Sequence, residues 1–395
     1  MSAFNPTIPS RRTALSGPIL LLAGPRLLAE KPSGRFAYKE GSLNRSCSVS
    51  IINHVPVLKV SGSPEEIGKA TGLLALRQAS GILTYPKSLV SLFKLDPLWP
   101  ILVTLGDRMV ERFPEQVKRE MLALQSASNV DRSLLVAGNT MFDLKGMVLC
   151  SGMALPPSMS KTQGTLLARN LDYPPVGDIG QFTLVSIVKQ SGLKAFASVG
   201  FPGLLGVLSG MNESGLALAI HEVVDVRSPL RKFNPAGLPY ALCYRKVLET
   251  CSTIPEAVNL LGRLPRASAT NLLIADRNNV AVLEITPEQV RIVKDTQGAA
   301  ICTNHFRHPD LVPENPANPF NSRERLASLE RQCFTQKQLG VRELQSALHE
   351  TNLGQNTLQS MVFDTFNLVL HLSTGPPPSS RGPYFTVDLA AALRG

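Results

Sequence analysis

The chain has 395 residues, of which 44% are hydrophobic and 18% charged, a composition that excludes a mainly disordered protein. Its length allows two lobes, or one large domain with an accessory segment. The formal net charge is +10, but Lys and Arg are spread along the chain without a basic run or a recognition motif, so no nucleic-acid partner is expected. The six cysteines are widely spaced and include no C-x-x-C pair, so we expect neither a disulfide framework nor a metal site.

The first 45 residues are predicted to hold an export signal followed by a linker. Arg11 and Arg12 precede a short apolar stretch, an order that resembles a twin-arginine signal, although Ala14 replaces the usual bulky residue. A disordered basic tail and a mitochondrial-type presequence are the alternatives. The apolar stretch is too short to span a bilayer. We expect export to the periplasm or the extracellular space if these residues are a signal, and a cytoplasmic or organellar location otherwise.

Residues 46–149 are predicted to form a mainly helical segment. The alternating pattern of residues 55–60 predicts a strand. Ser63 then supplies a helix N-cap, and Pro64 occupies the first helical position. A helix to about residue 83 follows, and further helical patterns continue almost to the end of the segment.

From Cys150 onward the pattern changes to short strands joined by tight turns. Strands are predicted within residues 165–172, 182–200, 204–223, 271–295 and 358–375, and helices within residues 237–261, 322–332 and 341–350. In one hairpin Asn212 forms the turn and Gly215 is free to take a positive φ. Runs of strands broken by helical blocks predict an α+β protein whose antiparallel sheets are covered by helices.

Cys150 is the candidate nucleophile, and its base is not obvious from the sequence. A reactive cysteine needs a nearby base, yet no histidine is adjacent to Cys150. If the chain were cut between Leu149 and Cys150, the new α-amino group, with a reference pKa of about 7.7 to 8.0, would titrate near working pH. A helical segment that ends at a cysteine opening a strand is the arrangement that such a proenzyme requires.

Several motifs in this order resemble those of one enzyme family. They are "VSGSPEEIGKATG", "CSGMAL", "GTLLARNLDYP", "GFPGLLGVLSGMNESGLALAIHEV", "NLLIADRNNVAVLEI" and "CTNHF". Together they resemble the isopenicillin N acyltransferase (acyl-CoA:6-aminopenicillanic acid acyltransferase) family of N-terminal nucleophile hydrolases, and less closely the choloylglycine hydrolase and acid ceramidase families. The resemblance implies a four-layer αββα sandwich at residues 150–395. It also implies that residues 46–149 are a prosegment, cut off as a separate chain that stays associated.

The resemblance also implies roles for individual residues. Cys150 would be the nucleophile for self-cleavage after Leu149 and for acyl transfer. The arginine and aspartate of the R-N-x-D motif are Arg169 and Asp172. The same resemblance makes Asn304 the donor to the oxyanion.

Three further residues are assigned on the same basis. Arg323, with Arg325 as second choice, matches a supporting downstream arginine. His221 and Glu222 stand where relatives carry a substrate-binding asparagine, so we assign both to substrate binding. Leu149 precedes the cut where glycine is common in the family.

The predicted function is therefore hydrolysis of a small N-acyl amide by a self-cleaved cysteine enzyme that forms a thioester on Cys150 and needs no cofactor. Hydrolysis is favoured over transfer because water is always available and no coenzyme A site is visible in the sequence. The alternatives are an acyl-CoA-dependent N-acyltransferase, a non-catalytic scaffold of the same fold, and a papain-like thiol enzyme that uses a histidine base without chain cleavage.

Overall fold

The computed structural model describes residues 36–145, 149–228, 230–293, 298–334 and 336–394. Its helices are α1 Pro64–Thr71, α2 Tyr85–Leu92, α3 Trp99–Val110, α4 Glu115–Ser128, α5 Arg132–Lys145, α6 Tyr240–Thr250, α7 Ile254–Arg263, α8 Ser322–Cys333, α9 Val341–Glu350 and α10 Ala390–Arg394. Within these ranges no helix combines the length and the apolar character needed to cross a membrane. The predicted signal at Arg11 and Arg12 lies outside the described residues.

The strands form two sheets. They are β1 Gly41–Asn44, β2 Cys47–Ile52, β3 Val55–Gly62, β4 Leu149–Leu155, β5 Leu166–Asp172, β6 Leu184–Gln190, β7 Phe196–Gly200, β8 Ser209–Asn212, β9 Ala217–Glu222, β10 Thr270–Ala275, β11 Val280–Ile285, β12 Val290–Val293, β13 Ala300–Cys302, β14 Thr357–Asp364, β15 Val369–Thr374 and β16 Phe385–Asp388. The larger sheet has the order β1-β2-β3-β6-β7-β8-β9-β10-β11-β12, and the smaller β13-β4-β5-β14-β15-β16. β3 and β6 run parallel, whereas β4 and both its neighbours run antiparallel.

The two sheets pack face to face between two layers of helices. Apolar side chains from both sheets, such as Ala197 on β7 and Met361 on β14, share one buried core. A second core joins the larger sheet to the helices, with α1, α6 and α7 on its outer face. A third core joins the smaller sheet to α8 and α9. The predicted αββα sandwich is therefore confirmed, and with it the α+β class.

The strands that precede Cys150 in the predicted prosegment and linker belong to the main body of the fold. β1, β2 and β3 form one end of the larger sheet, and β3 pairs with β6 of the predicted catalytic core. β1 falls inside the predicted linker and pairs with β2. The segment that would be cut off therefore supplies three strands as well as α1 to α5, so its packing against the core does not depend on helices alone.

The helix predicted to reach residue 83 is shorter in the structure. α1 begins as expected, because the Ser63 side chain and Glu66 form a reciprocal capping box and Pro64 follows the cap. The helix then becomes a π-helical turn at Gly72–Leu76. The backbone of α4 lies very close to α1: a Cβ added at Gly68 would be 2.1 Å from the backbone carbonyl oxygen of Glu120. Close packing against α4 shapes this region, and local helix signals do not reveal it.

The helix predicted at residues 237–261 is also divided. α6 ends at Thr250, and α7 starts after Thr253, whose side chain accepts a hydrogen bond from the Glu256 amide. Pro255, in the first turn of α7, follows this cap. The turn at Asn212 is confirmed, since its Oδ1 accepts from Ser214 and Leu216 amides and Gly215 has a φ of 81°.

Candidate active site

Cys150 lies on β4, between β13 and β5 in the smaller sheet. Its side chain is fully buried and points toward the larger sheet, on the same face of β4 as Ala154. The register pairs Leu149 with Asp172 and Gly152 with Arg169 on β5. On the other side, β13 ends at Cys302, and Asn304 follows beside Cys150. The sheet order thus brings residues distant in sequence to both sides of one cysteine.

Arg169 contacts the sulfur of Cys150. Its Nη2 lies 2.9 Å from Sγ and also donates to the Ile220 carbonyl at 3.2 Å. Nη1 donates to the Leu208 carbonyl at 3.2 Å and to Ser209 Oγ. These bonds to the ends of β8 and β9 hold the guanidinium in place. Burial raises the pKa of Cys150 to about 11, and Arg169 offsets part of that rise.

Asn304 and Arg325 hold the backbone of Cys150. Asn304 Oδ1 accepts from the Cys150 amide at 3.1 Å and from Arg325 Nη2 at 2.8 Å. Arg325 Nη1 donates to the Cys150 carbonyl at 2.7 Å. Asn304 Nδ2 donates to the Glu222 carbonyl at 2.9 Å. Because an amide nitrogen carries two hydrogens, the second remains available to an oxyanion.

Arg323 is not brought to Cys150, which corrects the preferred choice of arginine. Arg323 lies on the exposed side of α8 and donates to the Pro316 carbonyl at 3.2 Å. Arg325 is two positions further along the helix, about 200° around its axis, and points inward with Leu326 and Leu329. The spacing of these leucines is a signal in the sequence that would have selected Arg325.

Asp172 is fully buried opposite Leu149. Its Oδ1 accepts from Thr357 Oγ1, while Oδ2 has no hydrogen-bond partner in the described part of the chain. Burial raises the pKa of Asp172 to about 6, against the opposing effects of Arg325, Thr357 and Arg169. Within the described residues, Asp172 Oδ2 can therefore accept a hydrogen bond from a donor placed beside Leu149.

His221 and Glu222 occupy different environments. Glu222 lies beside the site, where its carbonyl accepts from Asn304 and its Oε1 accepts from the Tyr240 hydroxyl at 2.7 Å. His221 is fully buried between the sheets. Its ring lies against Gly152 on β4, where an added Cβ would be 2.9 Å from His221 Nε2. Burial, and then Arg169, lower the pKa of His221 well below its usual range, so the ring is neutral. Their substrate-binding roles remain predictions, and sequence reasoning missed Tyr240.

An apolar cavity lies on the β5 side of the site. α2, α5 and the loop at residues 201–204 line it, with side chains that include Tyr85, Leu135, Met141 and Phe142. The rings of Tyr85 and Phe142 also contact the ring of Tyr173, which follows Asp172, at centroid distances of 5.3 and 5.7 Å. Helices α2 and α5, which precede Cys150 in the chain, therefore form much of this cavity, and Tyr173 lies between its lining and the end of β5.

The model of one protein family matches more than half of the chain. The acyl-coenzyme A:6-aminopenicillanic acid acyl-transferase model matches residues 159–377. The match includes Arg169, Asp172, Asn304 and Arg325, and it begins after Cys150. A comparison with curated proteins found no match.

Three solved structures resemble this chain at low sequence identity. A mutant of the conjugated bile acid hydrolase from Clostridium perfringens is 14% identical with a TM-score of 0.44, covering 61% of this chain and 93% of its own. A Caenorhabditis elegans N-acylethanolamine-hydrolyzing acid amidase ortholog is 15% identical with a TM-score of 0.42, and the match covers 60% of this chain and 99% of the ortholog. Penicillin V acylase from Agrobacterium tumefaciens is 14% identical with a TM-score of 0.36, covering 62% and 79%.

Proposed function

The chain belongs to the acyl-coenzyme A:6-aminopenicillanic acid acyl-transferase family, and from this premise we propose that it is a self-cleaving cysteine amidohydrolase. It would hydrolyse an N-acyl amide through a thioester on Cys150, after cleavage between Leu149 and Cys150. The observation that carries the proposal is the set of contacts to Cys150. Its sulfur, amide and carbonyl are each held by a different buried polar side chain: Arg169, Asn304 and Arg325.

Self-cleavage would start with attack of Cys150 Sγ on the Leu149 carbonyl carbon. The new S–C bond replaces the Leu149–Cys150 peptide bond, and the proton lost by sulfur ends on the departing nitrogen. Water then hydrolyses the thioester, which leaves a carboxylate on Leu149 and a free α-amino group on Cys150. The unpartnered Asp172 Oδ2, in the residue paired with Leu149, is suited to hold that amino group.

The freed amine would then serve as the base for turnover. It accepts the thiol proton as sulfur attacks the substrate carbonyl, and it returns a proton to the leaving amine. The second hydrogen of Asn304 Nδ2 would stabilise the oxyanion. Because burial disfavours the free thiolate, proton transfer to an adjacent amine is the route that this environment supports. Among the described residues no histidine is hydrogen-bonded to Sγ, which disfavours a papain-like mechanism.

The apolar cavity would receive the acyl group. Its lining offers aliphatic and aromatic side chains, and the Tyr85 hydroxyl already donates to the Pro174 carbonyl at 2.8 Å. We therefore expect an apolar acyl chain in preference to a charged one. Acyl transfer to an amine is the second candidate, favoured by the family description, since an amine in place of water would resolve the same thioester.

The direct test is intact mass and N-terminal sequencing of the purified protein beside its Cys150→Ala variant. We expect a fragment that starts at Cys150 in the wild type and a single uncut chain in the variant. Cys302→Ala is the matched control, because Cys302 is a buried cysteine on the neighbouring strand and should leave cleavage intact. An uncut wild-type chain after prolonged incubation would remove the α-amino base from the mechanism.

A further inference from the structure

A second, smaller pocket borders the site on the side of Asn304. It lies between residues 223–225, residues 304–306 and the proline-containing loop at residues 313–319. Asn304 itself lines the cavity while its Oδ1 accepts from the Cys150 amide. Asn304 therefore borders both this cavity and the nucleophile.

The sheet order places the two cavities on opposite sides of Cys150. β4 lies between β13 and β5. Tyr173, at the end of β5, contacts Tyr85 and Phe142 in the lining of the apolar cavity, whereas Asn304, after β13, lines the second cavity. An amide whose carbonyl carbon meets Cys150 Sγ must extend its acyl part and its amine part in different directions. The two cavities can thus divide the substrate between them.

The chemistry of the two linings differs. Most of the second cavity is apolar, with Val223, Phe306 and three prolines, but it also contains the carboxylate of Asp225. Asp225 Oδ2 accepts from the Ala317 amide at 3.5 Å, which leaves other carboxylate lone pairs available. Burial lowers the pKa of His305, the other titratable lining residue, to about 4, so that ring is uncharged near neutral pH.

We infer that this second cavity binds the amine half of the substrate, and that Asp225 selects amines carrying a positive charge beyond the scissile nitrogen. This inference rests on the proposed function, because it assigns a subsite to that same reaction. The substrate would be an N-acyl amide with an apolar acyl group and a small amine that ends in a cation. Val224, which also lines this cavity, is 41% exposed, so the cavity lies near the protein surface.

Two amides with the same decanoyl group test this assignment on the self-cleaved enzyme. One carries 1,4-diaminobutane, whose far end is an ammonium, and the other carries pentylamine, which replaces that ammonium with a methyl group. For the wild type we expect kcat/KM to be about tenfold or more higher for the cationic amide than for the neutral one. A tenfold preference corresponds to about 1.4 kcal/mol of binding free energy. Asp225→Asn should reduce that preference to within about twofold by raising KM for the cationic amide alone.

Glu314→Gln is the matched control, since Glu314 is an exposed carboxylate on the same loop that does not line the cavity. It should keep the wild-type preference, which separates local contact from general electrostatics. Intact mass must show cleavage before Cys150 in each variant, as evidence of a folded site. Competitive inhibition by 1,4-diaminobutane, lost in Asp225→Asn, gives a second readout.

The outcomes separate the two proposals. If the wild type hydrolyses both amides equally, or if Asp225→Asn keeps the preference, the subsite assignment is wrong while the proposed function stands. The assignment is equally wrong if other N-acyl amides are hydrolysed and neither of these two is. If the cleaved wild type hydrolyses no N-acyl amide, the proposed function fails, and the subsite fails with it.

Discussion

The charged side chains around Cys150 are buried in balanced numbers. Two basic side chains, Arg169 and Arg325, and two acidic ones, Asp172 and Glu222, lie within the protein interior. Isolated charges are costly to bury, but opposite charges and hydrogen bonds offset much of that cost. The balance explains how a nucleophile can sit in a hydrophobic core with an arginine against its sulfur.

Asp143, on α5, is a buried acid just outside this group. Its Oδ1 accepts from Ser268 Oγ at 2.7 Å and from the Tyr240 amide at 3.2 Å. Burial raises the pKa of Asp143 to about 7, despite these two hydrogen bonds. The folded protein therefore keeps this proton at pH values where the unfolded chain has lost it, so the contribution of Asp143 to the free energy of unfolding falls as pH rises from about 4 to about 7.

Asp143→Asn should remove this pH dependence. In the uncut Cys150→Ala protein, we expect the substitution to raise the free energy of unfolding at pH 8 relative to pH 4.5 by on the order of a few kcal/mol, because no buried charge forms. Urea unfolding at both pH values measures this. Glu111→Gln, at an exposed position, is the control. An unchanged slope between the two pH values would show that Asp143 does not titrate in this window.

At the scale of secondary structure elements, a buried ion cluster joins prosegment helix α4 to core helix α6. Arg245 on α6 contacts Glu120 on α4 at 2.6 Å and Glu249 on its own helix at 2.7 Å. It also donates to the Leu205 carbonyl at 2.9 Å. One cation thus faces two buried carboxylates, and burial raises the pKa of Glu120 in spite of Arg245. Removing the cation would leave both acids without a counter-ion.

We expect Arg245→Met to lower the free energy of unfolding of the uncut Cys150→Ala protein by on the order of 3 to 5 kcal/mol. Urea denaturation is the measurement. Arg119→Met is the matched control, because Arg119 also joins α4 to another element, through Glu65, but at the surface with a 3.0 Å contact. It should have a much smaller effect. Equal losses in the two variants would mean that burial does not set the strength of the α4–α6 contact.

At the scale of the whole molecule, the proposed cut falls within a continuous fold. β3 is an interior strand of the larger sheet, and it hydrogen-bonds on one side to β2 of the prosegment and on the other to β6 of the core. Prosegment helices also form much of the apolar cavity. Separation of the two chains would expose sheet edges and apolar surface together.

The two cleaved chains should therefore stay associated and elute together in size-exclusion chromatography under native conditions. In concentrated urea they should elute separately, which serves as the control that the peptide bond is cut. Hydrolysis of an N-acyl amide should follow the joint peak. Separate elution under native conditions would show that the sheet contacts of β3 do not hold the chains together after cleavage.

Features set by short stretches of sequence could be predicted well. The capping box at Ser63, the positive φ at Gly215 and the alternating strands of the core each depend on a few neighbouring residues. The family was predicted from the order of several motifs, and the family match agrees with it. These signals are local, so they can be interpreted without knowledge of the tertiary contacts.

The tertiary structure alone decided how distant parts meet. The leucine spacing defines the inward face of α8, but only the tertiary structure shows that this face meets Cys150, so that Arg325 rather than Arg323 contacts it. The tertiary structure divided the long predicted helix after α1, at the place where the backbone of α4 packs against Gly68 and Gly72. It also joined β3 to β6 across the proposed cut. Each of these outcomes depends on contacts between residues far apart in the chain, whereas the sequence by itself determines the nucleophile candidate, the turns and the caps.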